Sequence, residues 1–125
     1  MSTLRIRAAA TLLALATTVA ANAPASARTV YDGVWSVVVA AESGTCSGAY
    51  RYPVAIVNGY VRHINPGDAS FAIRGRVGAG GRVNVAVRRG DQSAYGVGRL
   101  ARFSGGGTWQ SPNGCAGHWE ASRRD

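Results

Sequence analysis

Few side chains in this sequence are placed to do chemistry. Six carboxylates, Asp32, Glu42, Asp68, Asp91, Glu120 and Asp125, are scattered without the paired spacing that general acid and base catalysis uses. No nucleophile elbow, phosphate-binding loop or metal motif accompanies them. Catalysis is therefore not expected, no metal site and no cofactor are predicted, and binding is the expected mode of action.

Cys46 and Cys115 are the two cysteines. A metal site would need further His or Cys at ligand spacing, and neither C-x-x-C nor C-x-x-C-H occurs. In an oxidising compartment the pair reads as one disulfide. It would close a loop of roughly 70 residues and contribute on the order of 4 kcal/mol in the chain-entropy description.

Export is itself legible. Residues 1–27 combine a basic start (Arg5, Arg7), an apolar run from Ala8 to Ala21 and the small-residue ending Ala25-Ser26-Ala27, the three parts of a signal peptide cleaved after Ala27. The apolar run is short for a membrane span, and residues 28–125 hold no stretch near 18 apolar residues. A periplasmic or secreted location is expected for a single domain over 28–125, too small for a multidomain enzyme. Its basic residues are all Arg, and 12 Arg against 6 acids leave a formal charge of +6.

The elements that must position these groups are strands. The mature segment holds 13 Val and 3 Ile against a single Leu, and β-branched side chains suit a pleated surface better than a helix. Turn clusters divide it into eight alternating segments, at about 31–40, 48–57, 60–64, 69–77, 82–89, 93–103, 107–111 and 115–123. Asn58-Gly59 is the strongest turn signal, because a type I′ turn needs positive φ at both central residues. Gly78-Ala79-Gly80, Arg89-Gly90-Asp91-Gln92 and Ser104-Gly105-Gly106-Gly107 read as further turns. The expected pairs are Ile56 with Val61, Val54 with His63, Ile73 with Val85, Phe71 with Val87, Val87 with Ala94, Val85 with Gly96 and Val83 with Gly98. A slip of one residue would turn every side chain over, so the continuity of the apolar face supports this register.

The predicted fold is all-β, a small eight-stranded antiparallel up-and-down barrel, with a two-sheet sandwich as the alternative. In the barrel, Cys46 and Cys115 fall at the same end, where the disulfide ties the seam between the first and last strands. Trp35, Tyr50, Tyr52, His63, Trp109 and Trp119 face inward with the Val and Ile residues and are the candidate interior ligand contacts. Gly75, Gly96, Gly98 and Gly117 lie opposite large groups, which favours a packed interior over a ligand cavity in so small a domain. His63 is expected to bond a tyrosine hydroxyl, with haem or small-ligand contact as the functional alternative. His118 is expected on the outer face beside Glu120.

On the outer face, Arg76 is expected opposite Arg82, Arg82 opposite Arg99, and Arg74 nearby. Like charges across strands are unfavourable unless an anionic partner meets them, so this row is a candidate anion-binding face; a solvated surface is the plain alternative. Nucleic acid is not expected, since no recognition motif accompanies the charge. Arg89-Gly90-Asp91 spells an adhesion tripeptide, but Gly and Asp are also what the turn requires.

Each tryptophan follows a glycine two positions earlier, in Gly33-Val34-Trp35, Gly107-Thr108-Trp109 and Gly117-His118-Trp119. The first of these resembles the opening of lipocalin and avidin barrels, which implies a barrel of binding-protein type. Further residues are Asp32-Gly33-Val34-Trp35-Ser36-Val37, Cys46, Tyr50-Arg51-Tyr52, Asn58-Gly59, Gly96-Val97-Gly98-Arg99-Leu100, Cys115-Ala116-Gly117-His118-Trp119 and Arg123-Arg124. On these the chain resembles small Gly- and Arg-rich exported proteins of Gram-negative bacteria. Relatives sometimes carry the label of large exoprotein involved in haem utilisation or adhesion. The resemblance transfers no functional residue.

The expected function is an exported binding protein. It would act on an anionic partner through Arg74, Arg76, Arg82 and Arg99, or on haem or another small ligand inside the barrel. A different class, an inhibitor of an enzyme in the envelope or outside it, would work through the loops near Gly44 and Asn113.

Overall fold

The computed structural model describes residues 28–44, 46–65, 67–68 and 70–124; the predicted signal peptide lies outside the described residues. Eight antiparallel strands close into a barrel in simple sequence order: β1 (Gly33–Ser43), β2 (Ala49–Val57), β3 (Tyr60–His63), β4 (Ala72–Val77), β5 (Arg82–Arg89), β6 (Gln92–Leu100), β7 (Ser104–Gln110) and β8 (Ala116–Arg123). β1 pairs with β2 on one side and with β8 on the other, so the sheet has no free edge at its seam. This is the predicted barrel, and the sandwich alternative falls away.

One end of the barrel is sealed. Trp35 is 1% exposed, and its indole N–H donates to the Tyr31 carbonyl at 2.8 Å. The Arg123 guanidinium lies 5.1 Å over the Trp35 ring and donates to the carbonyls of Val30 and Arg102, each at 2.9 Å, and to that of Asp32. One cation thus ties the segment before β1 and the β6–β7 turn together over the tryptophan. The Asn58-Gly59 turn sits at this end with both residues at positive φ, 53° and 80°, as a type I′ turn requires. Asp32 accepts from the N–H groups of both, at 2.7 and 3.1 Å, and from the Thr29 hydroxyl at 2.6 Å. Burial pushes the Asp32 carboxyl up, but these hydrogen bonds together outweigh it and hold the group below its ordinary value.

The register matches expectation for β2–β3 and β5–β6, including Val54 with His63 and Val85 with Gly96. It differs for β4–β5. Ile73 pairs with Val87 and Gly75 with Val85, two residues from the predicted alignment. The loop between Val77 and Val83 is longer than a three-residue turn because Ala79–Gly81 forms a short 3₁₀ turn, with Gly80 and Gly81 at φ 76° and 85°. A shift of two leaves every side chain on its predicted face.

A second difference concerns Ser104-Gly105-Gly106-Gly107, which is strand rather than turn. These glycines serve close approach. A Cβ on Gly107 would lie 1.9 Å from the Val97 carbonyl oxygen and 2.8 Å from the Trp119 indole nitrogen. Cross-strand pairing sets Gly107 against Trp119 and Trp109 against Gly117, so each Gly-x-Trp unit of β7 and β8 offers its glycine to the other's indole.

Candidate functional site

Alternation along the strands turns one row of each inward, and together these rows enclose a cavity of about 550 Å³. Drug-sized ligand pockets span roughly 300–1,000 Å³. The wall is chiefly aliphatic, with Val37 and Val39 on β1, Val54 and Ile56 on β2, and Val85 and Val87 on β5. The expectation of a filled interior is corrected here, and the tryptophans supply the reason. Trp119 lies against Gly98 and Gly107, with its N–H donating to the Val97 carbonyl at 3.1 Å. Trp109 lies over Gly117 and donates across the seam to the Ala40 carbonyl at 3.0 Å. Both indole N–H groups are tied to carbonyls of neighbouring strands, and both residues are part of the lining around the open space. Below the rim residues Gln92 and Ser93, β6 contributes the small Ala94 and Gly96 to the wall, and valines opposite are too short to fill the space.

The cavity mouth is at the disulfide end. Cys46 and Cys115 are bonded, with Cα atoms 5.7 Å apart, as predicted. Cys115 is buried, and Cys46 lines the mouth. The loops that they join are packed closely enough that a Cβ on Gly44, at φ 87°, would lie 2.6 Å from the Gly114 carbonyl oxygen. Loops near Gly44 and Asn113 are therefore brought together at one end of the barrel. Asn113 and Ser111, whose side chains are hydrogen-bonded to each other, lie on the rim with Ser47, Gln92, Ser93 and Arg89.

One side of the mouth is walled by rings in place of backbone. β3 is only four residues long, and its ladder to β4 is confined to Tyr60 with Arg76 and Val61 with Gly75. Beyond it, Tyr52 meets Phe71 edge-on at 4.9 Å, and Tyr50 lies 6.4 Å from Tyr52. Of the predicted interior contacts, Trp35, Tyr50, Tyr52, Trp109 and Trp119 line the cavity.

His63 is not among the lining residues. It packs against Phe71, which is, with ring centroids 4.1 Å apart. Its expected tyrosine partner is replaced by local chain: Nδ1 accepts from the Asn65 N–H at 2.9 Å, which leaves Nε2 as the donor of the neutral ring. Nε2 is buried without a hydrogen bond and faces an Asp68 carboxylate oxygen at 3.6 Å. Hydrogen bonds from the Ser70 backbone and side chain, with a smaller contribution from His63, hold the Asp68 carboxyl below its ordinary value.

The outer face keeps its arginines but not all of their predicted pairing. Arg82 stands opposite Arg99. Arg76, expected opposite Arg82, is opposite Asn84 because of the two-residue shift, and its guanidinium lies 5.1 Å over the Tyr60 ring. Arg74 is opposite Ala86, and Arg88 extends the row. All five are exposed, and among the described residues none has a carboxylate at ion-pair distance. His118 pairs at 2.7 Å with Glu42, across the seam, where Glu120 was expected.

Arg89, which turn composition assigns to the Arg89–Gln92 hairpin, is a rim residue of the cavity. Continuing the alternation Val83, Val85, Val87 by one step places it on the inner face, and that was the available signal. Among the described residues, no group of three or more His, Cys, Asp or Glu is arranged to hold a metal. No helix among them is long and apolar enough to cross a membrane. Comparison with protein-family models, with curated proteins and with solved structures finds no match.

Proposed function

We propose that the protein is an exported, disulfide-locked carrier that binds a small, largely apolar molecule inside its barrel, entered from the disulfide end. The observation that carries this reading is the cavity of about 550 Å³ with its aliphatic and aromatic wall. An apolar space of that size is stabilised by an apolar guest, which restores dispersion contacts and removes its own surface from water. Binding is favoured over catalysis because the described residues of the lining are aliphatic, aromatic and small polar side chains with one Arg, and none of them is a carboxylate or a His. Outward arginines in mid-strand, Arg74 and Arg76 among them, are at odds with a lipid-facing band and fit a barrel surrounded by water.

The neutral fluorophore N-phenyl-1-naphthylamine tests this reading. Saturable binding at one site is expected, with energy transfer from Trp109 and Trp119. Replacing the small lining residue Ala94 with Trp should weaken the binding at least tenfold without loss of thermal stability. Equal binding by the Ala94→Trp variant would place the probe elsewhere.

The outer arginines support a second, separate reading, docking onto a polyanion. Uncompensated exposed cations on adjacent strands are the observation behind it. An Arg74→Ala, Arg76→Ala, Arg82→Ala triple variant should leave a heparin column at clearly lower salt than an Arg28→Ala, Arg102→Ala, Arg124→Ala triple of the same net charge. Elution of the two together would show that only total charge matters.

A further inference from the structure

Resting on the carrier reading above, we infer that the ligand is an amphiphile whose anionic headgroup is held at the mouth by Arg89 while its apolar chain occupies the barrel. Among the described residues, Arg89 is the one charged residue lining the cavity. It ends the inward row of β5, so its charge lies where the apolar wall gives way to water. The strand rises about 3.3 Å per residue, which puts Arg89 roughly 20 Å along β5 from Val83, near the sealed end. A long chain can thus lie along the wall with its polar end at the guanidinium.

Three features make this position suited to an anion. Its guanidinium has no carboxylate at ion-pair distance among the described residues, so no internal anion must be displaced. It leans 5.9 Å over the Tyr50 ring, a contact from across the mouth that orients the planar group without neutralising it. The rim residues Gln92, Ser93 and Asn113 offer uncharged donors for the remaining headgroup oxygens, while the Ser111 hydroxyl is already committed to Asn113. Among the described lining residues a cationic headgroup would find the guanidinium as its charged neighbour, and a neutral one would leave that guanidinium unused.

Displacement of bound N-phenyl-1-naphthylamine tests the inference. Laurate and dodecanol have the same chain length and differ in headgroup charge, and both are titrated below micelle formation at pH 8 and low salt. Laurate is expected to compete about fivefold better than dodecanol, as a partly exposed but bidentate ion pair allows. Arg89→Ala should abolish that preference, with laurate and dodecanol compared on the same variant against that variant's own probe affinity; Arg89→Lys should keep part of it. Equal competition by the two amphiphiles in the wild-type protein would overturn the headgroup assignment while leaving the carrier reading intact. So would a laurate preference that survives Arg89→Ala. Failure of the probe itself to bind would overturn the carrier reading and the headgroup assignment with it.

Discussion

Gly107→Ala is expected to destabilise the barrel by about 3 kcal/mol, at the upper end of what overpacking costs, and to lower its melting temperature by some 12–24 °C. The added methyl would stand 1.9 Å from the Val97 carbonyl oxygen and 2.6 Å from the Gly98 Cα. Both are backbone atoms of the neighbouring strand, and neither can rotate away. Relief would require β6 and β7 to separate, which would also move the carbonyl that accepts the Trp119 indole N–H. Gly67→Ala is the control. Among the described residues nothing beyond its chain neighbours lies within 4 Å of the position its methyl would take, and a change within about 0.5 kcal/mol is expected there. Thermal unfolding of the two variants side by side checks this, and equal melting temperatures would mean that the glycine run of β7 is not needed for close approach.

Removing the disulfide as a Cys46→Ala, Cys115→Ala double variant should cost a similar amount, about 4 kcal/mol, and lower the melting temperature by roughly 15–30 °C. The two cysteines are 69 positions apart, so the reduced unfolded chain regains most of the freedom that the closed loop denied it. The β1–β8 ladder extends over eight residue pairs from Trp35 to Ser43 and should keep the seam paired at room temperature once the bridge is gone. Loss of stability without loss of the barrel's circular dichroism is the expected outcome. An unchanged melting temperature in the double variant would mean that the bridge does not constrain the unfolded chain.

Side-chain faces were legible in the sequence because strand alternation has a period of two. The inward placement of Val54, Ile56, Val83, Val85 and Trp119 follows from parity once the turns are located. Even the misplaced turn at Gly78–Gly80 left them inside, since its error was two residues. Turn lengths were less legible. A cluster of glycines can close a hairpin in three residues or in five, and side-chain pattern does not distinguish the two. Ser104–Gly107 shows the same ambiguity in another form, because the composition of a turn is also that of a strand passing beneath an indole. The cavity was hidden for a related reason. Large residues opposite glycines imply a filled interior only if the large ones reach toward the axis, whereas Trp109 and Trp119 have their N–H groups bonded to carbonyls of the wall. Those bonds are set by carbonyl positions on neighbouring strands, which spacing along the chain does not reveal. His63 was placed on the correct face, but its partners come from the loop that follows it.

The central claim, that the barrel interior receives an apolar guest, is tested most directly by intermolecular nuclear Overhauser effects between N-phenyl-1-naphthylamine and the valine methyls of the protein. Val39, Val85 and Val87 line the cavity, while Val57 and Val97 are 41% and 52% exposed on the outside of the same strand system. Contacts from the probe to the first three and not to the last two are the expected result. Contacts confined to Val57 and Val97 would contradict the account.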